Sequence, residues 1–280
     1  MTPRALRLRA ALIGGLGLLA VSGMYFVKRI PQDPEYHNFA DRRPFAGIPN
    51  FGDVMSNLPF CVVGAAALLW LSKHCERVGF GKACLTYHEY RSWVLVFSGV
   101  FLTGLGSGYY HWAPDTPSLF WDRLPMTVSF MALLGVQMME RISVRGGSML
   151  IIPFLVTGVS SVVAWRLGEG EGAGDLRLYA LVQFYPMAAI PLMLLLFPAR
   201  YDRTGTLMAA FLWYLLAKLA EHWDLAIYDT LGHTVSGHTL KHLFAATGTA
   251  MMLRMLTRRT PLEREVPLTP SLQESAASLP

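Results

Sequence analysis

The chain has 280 residues; 53% are hydrophobic, only 15% are charged, and the formal net charge is +5. A soluble domain carries roughly 25% charged residues, so this deficit excludes an ordinary soluble protein and points to a multispan membrane protein. The basic residues are scattered rather than striped. That argues against nucleic-acid binding and fits the usual Lys/Arg excess of cytoplasmic loops.

In chain order, the first apolar run covers residues 8–27 and follows Arg4 and Arg7, with Arg9 at its start. It resembles a signal sequence but lacks a small-x-small cleavage site before Lys28, so it reads as an uncleaved anchor over residues 1–30. Seven further runs of bilayer-spanning length lie at 53–74, 93–112, 119–140, 148–167, 178–197, 206–227 and 238–256. The expected fold class is therefore all-α: a polytopic membrane protein with a seven-helix transmembrane bundle over 31–257 and one extra N-terminal hydrophobic helix. Residues 258–280, rich in Pro, Ser and Glu, read as a disordered cytoplasmic tail. The connections carry turn chemistry, as in Pro114-Asp115-Thr116-Pro117.

Cys61, Cys75 and Cys84 show no C-x-x-C spacing, which leaves no basis for a disulfide framework or a thiolate metal site. With these spans, one face of the membrane holds six Lys and Arg residues and the other fifteen. The positive-inside rule then puts both termini in the cytoplasm.

Polar residues converge on the opposite face. Ser107 and His111 close one run, Asp122 opens the next, and His238 and His242 open the last. Residues four apart share a helix face, so His238 and His242 can ligate one ion together, with His111 as the third ligand. Three imidazoles make the first shell of a catalytic zinc with one position left open. Ionisable groups at membrane depth are rare and usually functional. The ordinary reading of a lone histidine at a helix end, an interfacial residue with one hydrogen bond, is kept for His37, His74, His88, His222 and His233. Ser107 taken alone is a common helix-packing residue. Ion pairs Lys218–Glu221 and Lys241–Asp224 are expected.

The motifs G-S-G-Y-Y-H at 106–111, W-D-R at 121–123 and S-G-H-T-L-K-H at 236–242 resemble those of the alkaline ceramidases. That family belongs to a superfamily of seven-span zinc hydrolases that includes the adiponectin receptors. F-G-D-V-M-S-N at 51–57 is similar to the opening of the family's first span. The resemblance implies a Zn2+ site of His111, His238 and His242. It further implies Asp122 as general base and acid, Ser107 as oxyanion donor, and a ceramide-like membrane lipid as substrate. It also implies an acidic calcium-binding cluster before the first span; this chain keeps Glu35 and Asp41 there without a matching cluster, so calcium stays open. Two other readings remain: a receptor-like or lipid-binding protein with a structural zinc, and a hydrolase of another lipid amide or ester.

Overall fold

The computed structural model describes residues 2–76 and 83–262. Every regular element among them is helical: α1 (Pro3–Gly23), α2 (Phe51–Met55), α3 (Leu58–Leu71), α4 (Tyr87–Trp112), α5 (Thr116–Arg141), α6 (Val144–Gly170), α7 (Arg177–Leu196), α8 (Thr204–His222), α9 (Asp224–Thr230) and α10 (Gly237–Arg258). A π-helical turn, Ser72–Glu76, extends α3.

Local chemistry sets the boundaries. Capping boxes start α4 (Thr86 with Glu89) and α5 (Asp115 with Ser118), each satisfying two backbone N–H groups that have no partner inside the helix. Ser143 and Ser236 cap α6 and α10 in the same sense, with the side chain accepting from the third residue on. The tight 113–115 turn returns α5 antiparallel to α4, as its prolines and Asp115 suggest.

Among the described residues six helices are long and apolar enough to cross a membrane: α1, the unit Phe51–Cys75 that includes α2 and α3, and α4 to α7. The sequence reading had eight such runs. The expected run over 206–227 is broken, because α8 stops at His222 and α9 starts afresh at Asp224. α8 carries Lys218 and Glu221, and α10 carries His238, Lys241, His242 and Arg254, so both sacrifice apolarity to polar groups. Outward-facing Met149, Ile152 and Val156 on α6 are all more than half exposed, as befits a surface solvated by lipid rather than water.

α4 and α5 form the centre, with α3 and α6 packed on their flanks and α10 between α8 and α3. Close approach requires glycine at two places beside the polar end. A Cβ on Gly106 would run into the Trp121 carbonyl, and one on Gly237 into the Ala220 carbonyl. These contacts press α4 onto α5 next to Ser107 and Asp122, and α10 onto α8 next to His238. α1 stands apart: only Ile13 is buried, and Tyr185 of α7 donates to the Ile13 carbonyl at 2.9 Å.

The expected disordered tail is corrected over its first residues. Arg259 is 3% exposed, and Asp202 and Thr260 hydrogen-bond each other's chains at 2.7 and 3.0 Å. An arginine that finds a buried carboxylate stays with it, whatever the composition that follows. Residues 263–280 lie outside the described residues.

Candidate metal centre

His111 arrives from the end of α4, and His238 and His242 from successive turns at the start of α10. All three are buried, and one ring nitrogen from each lies within 4.8 Å of the others. The Nε2 atoms of His111 and His238 are 3.3 Å apart. Two nitrogens each about 2.0–2.1 Å from a tetrahedral zinc are separated by about 3.3 Å, so this edge already has the length a zinc site needs. The ring centroids are mutually 4.8 Å apart.

The surroundings orient the rings. His242 Nδ1 sits 2.8 Å from Ser56 Oγ, and the Asn57 amide is 3.4 Å from the same nitrogen. Ser56 and Asn57 occupy the break between α2 and α3, and both donate to the Asp53 carbonyl, at 3.1 and 2.7 Å. With Nδ1 held from behind, Nε2 of His242 is the nitrogen free to face its two neighbours. Asp224 accepts from the His238 N–H at 2.7 Å and from the Ala40 N–H at 3.0 Å, tying the 24–50 segment to the start of α10. Through that segment Phe39 lays its ring 4.6 Å from His111 and 4.4 Å from His238. Asn50, in the left-handed conformation with φ of 45°, donates to the His111 carbonyl at 2.8 Å.

His111 Nδ1 and Asp53 Oδ2 are buried without a hydrogen-bond partner. The fit to an ion rests on the three converging imidazoles themselves, of which His111 and His238 already meet through Nε2. The donor set suits a transition metal, and an all-imidazole shell suits zinc. The residues fit the group.

Ser107 and Asp122 are buried and line one cavity with His242. The cavity has a volume of about 350 Å³. Its walls are largely apolar, among them Val100, Phe130, Leu133 and Met187, while its polar end carries Lys218, Glu221 and Lys241. That is the make-up of a small-molecule site: a greasy chamber with a few convergent polar groups. His111 and His238 stand behind His242 and do not line it.

All five sequence-derived residues therefore lie at one end of the bundle, with the histidines gathered into one cluster and Ser107 and Asp122 on the cavity wall. The five other histidines stay outside the cluster; His37, for example, bonds the Tyr110 hydroxyl at 2.9 Å. The Lys218–Glu221 pair is present, but the expected Lys241–Asp224 pair is not. Lys241 instead reaches Glu221 at 2.7 Å, because Asp224 is occupied by two backbone N–H groups. Lys241 Nζ also lies 3.2 Å from His238 Nε2, a contact it must give up if that nitrogen ligates a cation.

Sequence reasoning missed Phe39, Asn50, Ser56 and Asn57 as supports. Ser56 and Asn57 carried a signal, since with Asp53 they stand three and four residues apart in the stretch 51–57. Phe39 carried none, lying in an irregular segment. Comparison with family models, with curated proteins and with solved structures gives no match.

Proposed function

We propose that this chain is a zinc-dependent intramembrane hydrolase that cleaves the amide bond of a ceramide-like lipid into a sphingoid base and a fatty acid. The observation that carries the reading is the placement of Ser107, Asp122 and His242, the last a member of a buried three-histidine cluster, on the wall of a largely apolar cavity. It agrees with the resemblance to alkaline ceramidases in the motifs at 106–111, 121–123 and 236–242. On this reading the bundle from α2 to α10 makes seven spans and α1 is additional. Both termini are cytoplasmic and the cluster faces the other side.

His111, His238 and His242 would hold the ion. A zinc ion held there would lower the pKa of bound water to about 7 and so supply a nucleophile at neutral pH. The chain's own groups do the rest. Asp122 takes the proton of the attacking water on its carboxylate and returns it to the leaving amine, as base and then acid. Ser107 lies on the wall of the same cavity. Its hydroxyl donates to the oxygen that gains negative charge. The apolar walls take the alkyl chains and exclude water.

The test is metal analysis of the purified chain, paired with mass-spectrometric detection of products from ceramides and other N-acyl lipids in detergent. The expected result is about one zinc per chain and release of fatty acid. Asp122→Asn keeps the metal and loses roughly 10²–10⁴-fold in turnover. Ser107→Ala loses roughly 10²–10³-fold. Full zinc occupancy with no turnover of any lipid replaces this reading by a lipid-binding protein with a structural metal.

A further inference from the structure

One cation of the cavity has no use in the scheme above. Arg123 on α5 lines the cavity and is only 4% exposed. Among the described residues it makes no ion pair, and its Nη1 atom is buried without a hydrogen-bond partner. Its neighbour Asp122 lines the same cavity but forms no ion pair with it. Lys218 and Lys241, by contrast, share the carboxylate of Glu221.

The Arg123 guanidinium is held by ring faces alone. Its carbon lies 4.5 Å from the centre of Trp165, 4.9 Å from Tyr179 and 5.4 Å from Tyr36. Ring faces attract the charge but accept none of the in-plane N–H groups of the fork. A buried guanidinium with an unfilled fork, fixed by three aromatics and opening on a cavity, is a built receptor for a planar or tetrahedral oxyanion. The cavity as a whole carries three cations against two carboxylates, Asp122 and Glu221. Such an excess in an apolar chamber favours an anionic guest.

We propose that Arg123 is the head-group anchor of the cavity, and that the cavity takes a lipid whose head carries a carboxylate or a phosphate. This rests on the reading of the cavity as the site of a lipid-amide hydrolase and narrows its ceramide-like substrate to one with an anionic group on the head. Arg123 binds the head group while Ser107 and Asp122 attend the scissile bond.

The test uses the full chain in detergent, stripped of metal by a chelator, with Trp165 fluorescence as the reporter and Trp165→Phe as the blank. The probes are oleic acid in its ionised form, oleyl phosphate, oleyl alcohol and inorganic phosphate. The anionic lipids are expected to bind at least roughly tenfold more tightly than the alcohol, as a charge-assisted fork requires. Arg123→Gln removes that preference, and Arg123→Lys, which keeps the charge without the fork, retains part of it. Preference for oleic acid or for oleyl phosphate identifies the head group. Equal binding of the alcohol overturns the proposal, and so does an anion preference that survives in Arg123→Gln with unchanged thermal unfolding. Inorganic phosphate binding as tightly as oleyl phosphate overturns the lipid assignment. Binding is read without metal and turnover separately on the metal-loaded chain, so hydrolysis of ceramide with no anion preference sinks only this proposal, and anion preference in a chain without turnover sinks only the hydrolase.

Discussion

The two ends of the bundle bury charge in opposite ways. At the end formed by the start of α4 and the close of α5 and α10, Arg259 pairs with Glu140 at 2.8 Å and donates to the Ala83 carbonyl. Its guanidinium carbon lies 3.9 Å from the Tyr201 ring centre. Glu140 also accepts from the Trp93 indole at 2.8 Å, and Glu89 accepts from the Leu85 N–H at 2.8 Å and the Tyr201 hydroxyl at 2.6 Å. Apart from the Gln137 amide oxygen and Glu89 Oε1, which faces the Arg200 guanidinium at 3.3 Å, donors and acceptors there are matched to one another. About 33 Å away along α4, at 1.5 Å per residue, the histidine end leaves Arg123 Nη1 and Asn57 Oδ1 unmatched on residues of the cavity wall, and His111 Nδ1 and Asp53 Oδ2 unmatched behind it. A matched network closes a structure. An unmatched one beside an open chamber is what binding needs, because the missing partners are supplied from outside.

The sharpest way to break this comparison is to remove one member at each end. His111→Ala, His238→Ala and His242→Ala are each expected to abolish stoichiometric metal, read by elemental analysis, while the fold survives by circular dichroism. At the other end, Glu140→Leu alone leaves Arg259 buried without its carboxylate. It is expected to destabilise by about 3–5 kcal/mol with metal content unchanged. Adding Arg259→Met should restore most of that loss, since a buried pair replaced as a whole is often neutral. Thermal unfolding of the single and double variants in detergent checks both. Loss of metal in Glu140→Leu would show that the two ends are not independent.

The two ends also differed in how well they could be read from sequence. The histidine end was legible because its signal is periodic: Ser107 and His111, and His238 and His242, are four apart within apolar runs. The matched end was not, because Trp93, Glu140 and Arg259 come from distant elements. An arginine after the last helix reads as the start of a tail until the fold brings a carboxylate to it. The same limit hid the broken run at Trp223 and the partner exchange of Lys241. Polar residues in α8 and α10 marked function correctly but gave no account of which charge meets which, since that depends on the rotation of two helices about their axes.

The supports of the histidine cluster sharpen the comparison at smaller scale. Ser56 holds His242 Nδ1 from the break between α2 and α3, at 2.8 Å. Ser56→Ala leaves the three ligands in place but frees the ring to rotate. Partners of this kind typically contribute 10–100-fold in metal affinity, so zinc competition with a chelator is expected to show a loss in that range. An unchanged affinity would mean that packing against Phe39 and the helix backbone alone fixes the ring.

The smallest expected effect separates the covering segment from the bundle beneath it. Burial by itself would raise the Asp41 carboxyl, but hydrogen bonds and charge from Arg43 hold it below the usual aspartate range. Arg43 reaches it at 2.7 and 2.8 Å and also donates to the Thr234 carbonyl at 2.7 Å, which clips the 24–50 segment to the loop before α10. A depressed folded value means that the clip contributes fully above the unfolded pKa of about 3.9 and is lost as pH falls through the lower, folded one. Hydrogen exchange over residues 38–50 should therefore accelerate below about pH 4 while α4 and α5 stay protected. Asp41→Asn should open the segment already at neutral pH and flatten the dependence. Because Arg43 is 54% exposed, added salt should weaken the effect as well. Parallel acceleration in α4 would mean that acid acts on the bundle itself, and that the lid over His111 and His238 is not a separate unit.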